Sequence, residues 1–401
     1  MRRALALAVT GALGGLLTIT VINVPASAAV VPQTSHRVCA AAPVGIAACD
    51  SWVHAKPSGR SAATTPTGYG PSDLQSAYNL AAASAGNGAG VTIGIVDAFD
   101  DPTAFADVNT YRAQFGIPAL TSCTPNTVRS STTPCFAKSN QTGGTTPPRK
   151  NGSWAQEESL DVDMASAICP HCNILLVEAD SATLTNLGGS VNEAVTLGAA
   201  VVSNSYGGNE SSGEVAEQNS FYNHPGVVIT ASSGDSGFGV QFPAASQFVT
   251  AVGGTSLVRA TNTRGWSETV WNGAGSGCSA FITKPAWQQD TGCARRTVAD
   301  VSADADPNTG VAVFDSTAFQ GLSGWLEFGG TSVASPVIAS VYALAGNAAT
   351  VTYGSFPYSH TASLNDVTSG SNGTCGSYLC TGTIGYDGPT GLGTPNGTGA
   401  F

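Results

Sequence analysis

Five apolar runs recur through the middle of the chain: VTIGIVDAF (91–99), NILLVEA (173–179), AAVVSNSYG (199–207), GVVITASSG (226–234) and FVTAVGG (248–254). They are rich in Val and Ile and do not alternate with polar residues. That pattern predicts strands covered on both faces, as in a parallel sheet. Small-residue stretches at helical spacing lie between them, so the chain is expected to form an α/β domain with a central, mostly parallel sheet flanked by helices. Gly, Asn and Ser gather at the C-terminal ends of the runs, where open α/β sheets place their sites. Residues 29–66 are rich in Ala, Ser, Thr and Pro and lack this periodicity. They read as an N-terminal extension or short propeptide, leaving 67–401 as a single domain.

One helical stretch carries unusual chemistry. In SWAQEESLDVDMASAICP (153–170), Ser153 and Gln156 have the spacing of a capping box, and Pro170 marks the end. Leu160, Met164, Ala167 and Ile168 form an apolar stripe. At about 100° per residue, Glu157 lies roughly 35° and Asp161 roughly 75° from the stripe's centre, while Glu158 points roughly 135° away, toward solvent. Glu157 and Asp161 are thus two carboxylates on a buried edge, where an ionised acid is unfavourable unless it is paired or shares a proton. Asp163, on the other flank, is ambiguous.

A second helix is expected in SVASPVIASVYALAG, opening at Ser332 and stopping at Gly346. A serine at a helix N-terminus sits among free backbone N–H groups that favour a developing oxyanion. Taken alone, it would be an ordinary N-cap. Asp235, in TASSGDSGFG, follows a strand in a Gly-flanked turn, where aspartate is also common for conformational reasons.

Composition narrows the setting. The first 28 residues have two arginines, a long apolar run and an Ala-Ser-Ala ending, the pattern of a secretory signal peptide. The run is long enough to span a bilayer as an anchor, but the small-residue site after Pro25 favours cleavage and a secreted, extracellular protein. Loss of Arg2 and Arg3 takes the formal charge from −11 to −13. A net negative surface argues against nucleic acid and anionic membranes as partners. Only 10% of residues are charged, well under the usual share of about a quarter, so few carboxylates must be protonated in acid. The ten cysteines fall into close neighbours, and sequential pairing is expected: 39 with 49, 123 with 135, 169 with 172, 278 with 293, and 375 with 380. CPHC at 169–172 also has the spacing of a redox motif. In such motifs the first cysteine opens a helix after a strand, whereas here a helix precedes it and a strand follows.

Together these motifs carry a resemblance. The chain resembles the sedolisins, or serine-carboxyl peptidases, from about Tyr69 to its end: YGPSDLQSAYN, the Glu-x-x-x-Asp of EESLDVD, SGDSG, FVTAVGGTSL, ADVSADADPNTG, GGTSVASP, and LNDVTSG with GYDGPTGLGTPNG. The resemblance implies a subtilisin-like fold and a secreted endopeptidase acting in acid. It implies Ser332 as nucleophile, Glu157 as general base and Asp161 as the group orienting Glu157. Asp235 would stand at the oxyanion hole, and Asp97, in GIVDAF, would be a further acid bonded to Asp161. It also implies one structural calcium ion held by the carboxylates of Asp366 and Asp387 and the carbonyls of Val367, Thr383 and Gly385, hard oxygen ligands suited to Ca²⁺. Protein or peptide substrates and a monomeric state are expected.

Three departures stand out. A long folded prodomain is missing between the signal site and the catalytic block, Tyr206 replaces a usual Trp, and Thr383 replaces a glycine. Three other readings remain open on these residues: a silent peptide-binding relative, a tripeptidyl-peptidase of the same family, and a thiol–disulfide oxidoreductase centred on Cys169 and Cys172. A subtilase using Asp97 with His171 or His224 is disfavoured, because neither histidine opens a helix in a Gly/Thr/Ser setting.

Overall fold

The computed structural model describes residues 34–55 and 65–401. The expected signal segment, 1–28, lies outside the described residues. Each apolar run forms a strand, and NILLVEA does so over its full length, Asn173–Ala179. The main sheet has nine strands. Along it run Trp266–Val270, Thr250–Arg259, Val228–Ser232, Val201–Asn204, Thr92–Ala98, Asn173–Ala179, Cys135–Asn140 and Thr121–Ser122, with Val301–Asp304 also paired to Thr250–Arg259. All pairings are parallel except that of Trp266–Val270. The strands Thr92–Ala98 and Asn173–Ala179 are buried at every residue, the expected outcome for a sheet with helices on both faces.

The helix Gly152–Ile168 is buried at every residue from Trp154 onward. It packs against the helices Thr331–Ala345 and Ala104–Gln114, against the strand Val311–Phe319, and against the main sheet. This corrects two expectations. Glu158 does not face solvent and is fully buried, as is Asp163: a one-sided stripe describes a surface helix, and this one is central. The N-cap is Asn151, whose side chain accepts from the Ser153 and Trp154 amides at 3.0 and 3.4 Å, in place of the Ser153–Gln156 box.

The helix Thr331–Ala345 contains the expected serine in its first turn and ends at Gly346, whose φ of +71° suits a residue without a Cβ. All five disulfides pair sequentially as expected. Cys169 caps the C-terminus of the Gly152–Ile168 helix, and both it and Cys172 are fully buried, which leaves no accessible dithiol there.

Residues 34–55 pack within the same compact unit, 33–401. Thr34–Arg37 and Trp52–Ala55 join Leu322–Gly329 and Val311–Phe319 in a four-stranded sheet. Ala48–Cys49 pairs with Tyr206–Asn209, which also pairs with Gln241–Phe242. The absence of hydrophobic periodicity in this stretch therefore does not mean an absence of packing.

Candidate active site

Ser332 is brought to the C-terminal ends of the central strands by the helix it opens. Its neighbour Gly330 has φ +103°, and a Cβ there would lie 2.2 Å from the carbonyl oxygen of Asp50 and 2.6 Å from Oδ2 of Asp235. Only glycine fits that turn. The Ser332 N–H donates to the Asp50 carbonyl at 2.9 Å, and its hydroxyl donates to the Ser205 carbonyl at 3.0 Å.

Glu157 and Asp161, one helical turn apart, and Asp97, near the end of the Thr92–Ala98 strand, form a fully buried set beside the serine. Among the described residues, none of their six carboxylate oxygens finds a hydrogen-bond partner, and no ion pair reaches them. Burial pushes Glu157 well above the usual carboxylate range, and the Asp161 charge adds to it. The hydroxyls of Ser332 and Ser51 lie close enough to pull it partly back. Asp97 is raised by burial and then by Asp161 and Glu157. Asp161 is raised by burial, against the pull of the Ser205 hydroxyl. Three such acids titrate as a set and share protons.

Asp235 follows the strand Val228–Ser232. Its Oδ1 accepts from the Thr331 N–H and hydroxyl, both at 2.8 Å, while its buried Oδ2 has no partner. Burial and then the nearby Asp50 hold it well above the ordinary range, toward the protonated form. A protonated Oδ2 is a hydrogen-bond donor, and both it and the carbonyl oxygen that the Ser332 N–H meets crowd the same face of Gly330.

Tyr206 turns its hydroxyl to Oδ1 of Asn204 at 2.7 Å, and its ring lies 6.3 Å from that of Trp154. Among the described residues, no histidine hydrogen-bonds to Ser332, Glu157, Asp161, Asp97 or Asp235. The bonds of His54, His224 and His360 run to Ser35, to Asn192 and Phe221, and to Ser359 and Phe356.

Asp366 and Asp387 converge from separate loops. The Gly385 amide donates to Oδ2 of Asp366 at 2.9 Å and the Thr383 amide to Oδ2 of Asp387 at 3.1 Å. Burial pushes Asp387 up to about 7, and nearby Asp366 contributes to the rise. Two neighbouring carboxylates, with the backbone of Thr383 and Gly385 beside them, offer oxygen ligands of the kind a hard divalent cation takes.

Sequence reasoning missed two features. Asp50 and Ser51, from the stretch read as an extension, lie at the centre of the site. Elsewhere, Asp101, Asp107 and Asp315 draw one carboxylate oxygen each to within 4.8 Å of one another. The hydroxyls of Thr103, Ser316 and Thr317 satisfy much of that cluster.

No protein-family model matches the chain. Among curated proteins it is similar to sedolisin of Pseudomonas sp. (strain 101), 28% identical over 375 residues, or 83% of this chain and 60% of that protein. It is also similar to kumamolisin of Bacillus sp. (strain MN-32), 30% identical over 319 residues, or 71% and 53%. The chain thus spans little more than half the length of these relatives. Among solved structures it matches Pseudomonas sedolisin, a serine-carboxyl proteinase complexed with two molecules of pseudo-iodotyrostatin. That match has a TM-score of 0.67 and 27% identity, covering 83% of this chain and 96% of that one.

Proposed function

Because the chain belongs to the sedolisin family, we propose that it is a secreted serine-carboxyl endopeptidase that hydrolyses peptide bonds through an acyl-enzyme on Ser332. The observation that carries this is the pairing of donors at one point. The Ser332 N–H meets the Asp50 carbonyl oxygen, that oxygen and the buried Oδ2 of Asp235 both close on Gly330, and the Glu157 carboxyl lies beside the serine hydroxyl.

In the reaction, Glu157 takes the Ser332 proton as the hydroxyl attacks the substrate carbonyl, and returns it to the leaving amine. Asp161 holds Glu157 in place, and Asp97 shares the set's protons. The growing oxyanion accepts from the Ser332 N–H and from protonated Asp235. An ionised Asp235 would repel it, so the site works in acid.

Calcium, held by Asp366 and Asp387 with the carbonyls of Val367, Thr383 and Gly385, would tie the loops around 366 and 387 together as a structural ion. Secretion rests on the signal-like first 28 residues and on five disulfides, which need an oxidising compartment. No helix among the described residues is long and apolar enough to cross a membrane.

The test is hydrolysis of a denatured protein from about pH 2.5 to 8. Activity that peaks in acid and disappears in Ser332→Ala is expected. Activity confined to neutral pH would refute the carboxylate-base mechanism.

A further inference from the structure

Four buried acids that the reaction does not use gather from separate elements. Asp101 follows the strand Thr92–Ala98, Asp107 lies in the helix Ala104–Gln114, Asp163 in the helix Gly152–Ile168, and Asp315 in the strand Val311–Phe319. Each is at most 3% exposed. Among the described residues, no Lys or Arg forms an ion pair with any of them. Lys138 donates to the backbone carbonyl of Asp101 at 2.9 Å, but its ion pairs are with Asp100 and Glu178.

The geometry suits one shared ion. One oxygen each from Asp101, Asp107 and Asp315 lies within 4.8 Å of the other two. Calcium takes oxygen ligands at about 2.3–2.6 Å, so two oxygens on one shell stand at most about 5 Å apart. Neutral oxygens stand among the carboxylates. The Thr103 hydroxyl lies 3.0 Å from Oδ1 of Asp101, 2.7 Å from Oδ2 of Asp107 and 3.0 Å from the Thr317 hydroxyl. It has one proton to share between the two carboxylates. The amides of Thr103 and Ser316 also meet Asp101 and Asp107, each at 2.9 Å. Amides and hydroxyls carry no net charge, so the cluster's own charge stays unbalanced.

Two buried oxygens point to what is missing. Oδ1 of Asp315 accepts from the Thr317 amide at 2.7 Å, but its Oδ2 has no partner. Oδ2 of Asp163 accepts from the Phe314 amide, next to Asp315, at 2.9 Å, and its Oδ1 has no partner. Burial raises Asp163 well above the ordinary range, and the charges of Asp107, Asp315 and Asp101 add to it. A buried carboxylate oxygen without a donor is unfavourable, and a cation satisfies several at once. Asp101 also lines a cavity of about 280 Å³, which gives a hydrated ion a route to the cluster.

We propose that Asp101, Asp107 and Asp315, with Asp163 beside them, form a cation site separate from the one at Asp366 and Asp387, and that it takes a single hard divalent ion of the calcium type. Mixed carboxylate and hydroxyl ligands in an irregular array suit Ca²⁺ better than Mg²⁺, which demands a near-regular octahedron. The ion ties the segment after the strand of Asp97 to the strand Val311–Phe319. That strand pairs with Leu322–Gly329, which leads into Ser332. The site does not depend on the peptidase reading.

The experiment titrates calcium by calorimetry into the full chain, stripped of metal by a chelator, at about pH 7. Asp366→Ala with Asp387→Ala removes the other proposed site. That variant is expected to bind one calcium ion per chain, and adding Asp315→Asn should weaken the binding at least about tenfold. Asparagine keeps the acceptor for the Thr317 amide and removes only the charge. In the otherwise unaltered chain, calcium at a hundredfold excess over Kd should raise the thermal midpoint by about 3 °C more than it does in Asp315→Asn. A folded Asp366→Ala/Asp387→Ala variant that binds no calcium would overturn the inference. So would binding, or a thermal shift, that Asp315→Asn leaves unchanged. If the Asp366→Ala/Asp387→Ala variant does not fold, equilibrium dialysis of the parent and Asp315→Asn decides: one ion fewer in Asp315→Asn upholds the site, and equal counts overturn it.

Discussion

Glu157 and Glu158 are neighbours in sequence, on one helix, and both are fully buried, yet they enter opposite kinds of acidic cluster. Glu157 joins Asp161 and Asp97, where among the described residues no ion pair forms, the hydroxyls of Ser332, Ser51 and Ser205 are close, and Asp97 also feels Glu178. Glu158 joins Glu178, and each accepts from the Asp101 amide, at 3.3 and 3.2 Å. There Lys138 reaches Glu178 at 2.9 Å and Asp100 at 2.5 Å. Burial pushes both glutamates upward, but Lys138 also pulls on Glu158. One step along a helix turns the side chain by about 100°. That turn separates a cluster that must keep and pass protons from one that can hold charge. A proton-sharing set suits a reaction that hands a proton to and from serine, whereas a lysine-bound set suits structure.

The sharpest way to break this comparison is to neutralise each glutamate in turn. Glu157→Gln is expected to lower kcat on a peptide substrate by about 10²–10⁴, the usual contribution of a general base. Glu158→Gln should change it by less than about threefold. Equal losses in the two variants would mean that the clusters are not distinct.

Stability against pH tests the proton-sharing set directly. Asp97 has a folded-state pKa above its unfolded value, so the folded protein binds more protons than the unfolded chain as that group titrates. Its stabilising contribution is therefore full in acid, below about pH 4, and is lost as pH rises. In urea titrations, Asp97→Asn should flatten the decline of unfolding free energy above pH 4 by up to ~1.4 kcal/mol per pH unit. An unchanged slope would show that Asp97 does not hold a proton in the fold.

How much of this was legible in the sequence depends on whether a feature was local. Strands such as Asn173–Ala179 follow from runs of branched residues, and the sequential disulfides follow from short spacing. Ser332, Glu157, Asp161 and Asp235 stand in strings that nominate them, and the structure gathers them. Glu158 was misplaced because the helical stripe was read as one buried face with solvent opposite, while this helix is enclosed by the main sheet, by neighbouring helices and by the strand Val311–Phe319 of the four-stranded sheet. Asp50 and Ser51 could not be found from pattern. Their segment has no periodicity, because an extended strand held through its backbone on both edges needs none, and its partners lie far along the chain.

The smallest expected effect is also the cleanest contrast of sign. Lys138 is partly exposed, with 27% of its side-chain surface open to solvent, so solvent screens part of its attraction to Glu178. Burial pushes Glu178 up to about 7 against the pull of Lys138. Lys138→Met removes the cation and leaves Glu178 and Asp100 facing each other and Glu158. The cost is expected at about 1–2 kcal/mol near pH 8, between that of an exposed pair and that of a broken buried one. It should shrink as pH falls through about 7, because a protonated Glu178 has no charge for Lys138 to balance. Asp97→Asn has its greatest relative benefit in the same high range, so the two variants should diverge as pH rises and converge in acid. Acid activity of Lys138→Met should stay within about threefold of the parent, since Lys138 pairs with Asp100 and Glu178 and not with Glu157 or Asp161. A lysine that mattered equally at every pH would be acting through packing or through Asp100 and not through the Glu178 charge, and the division of the two clusters by charge would fail.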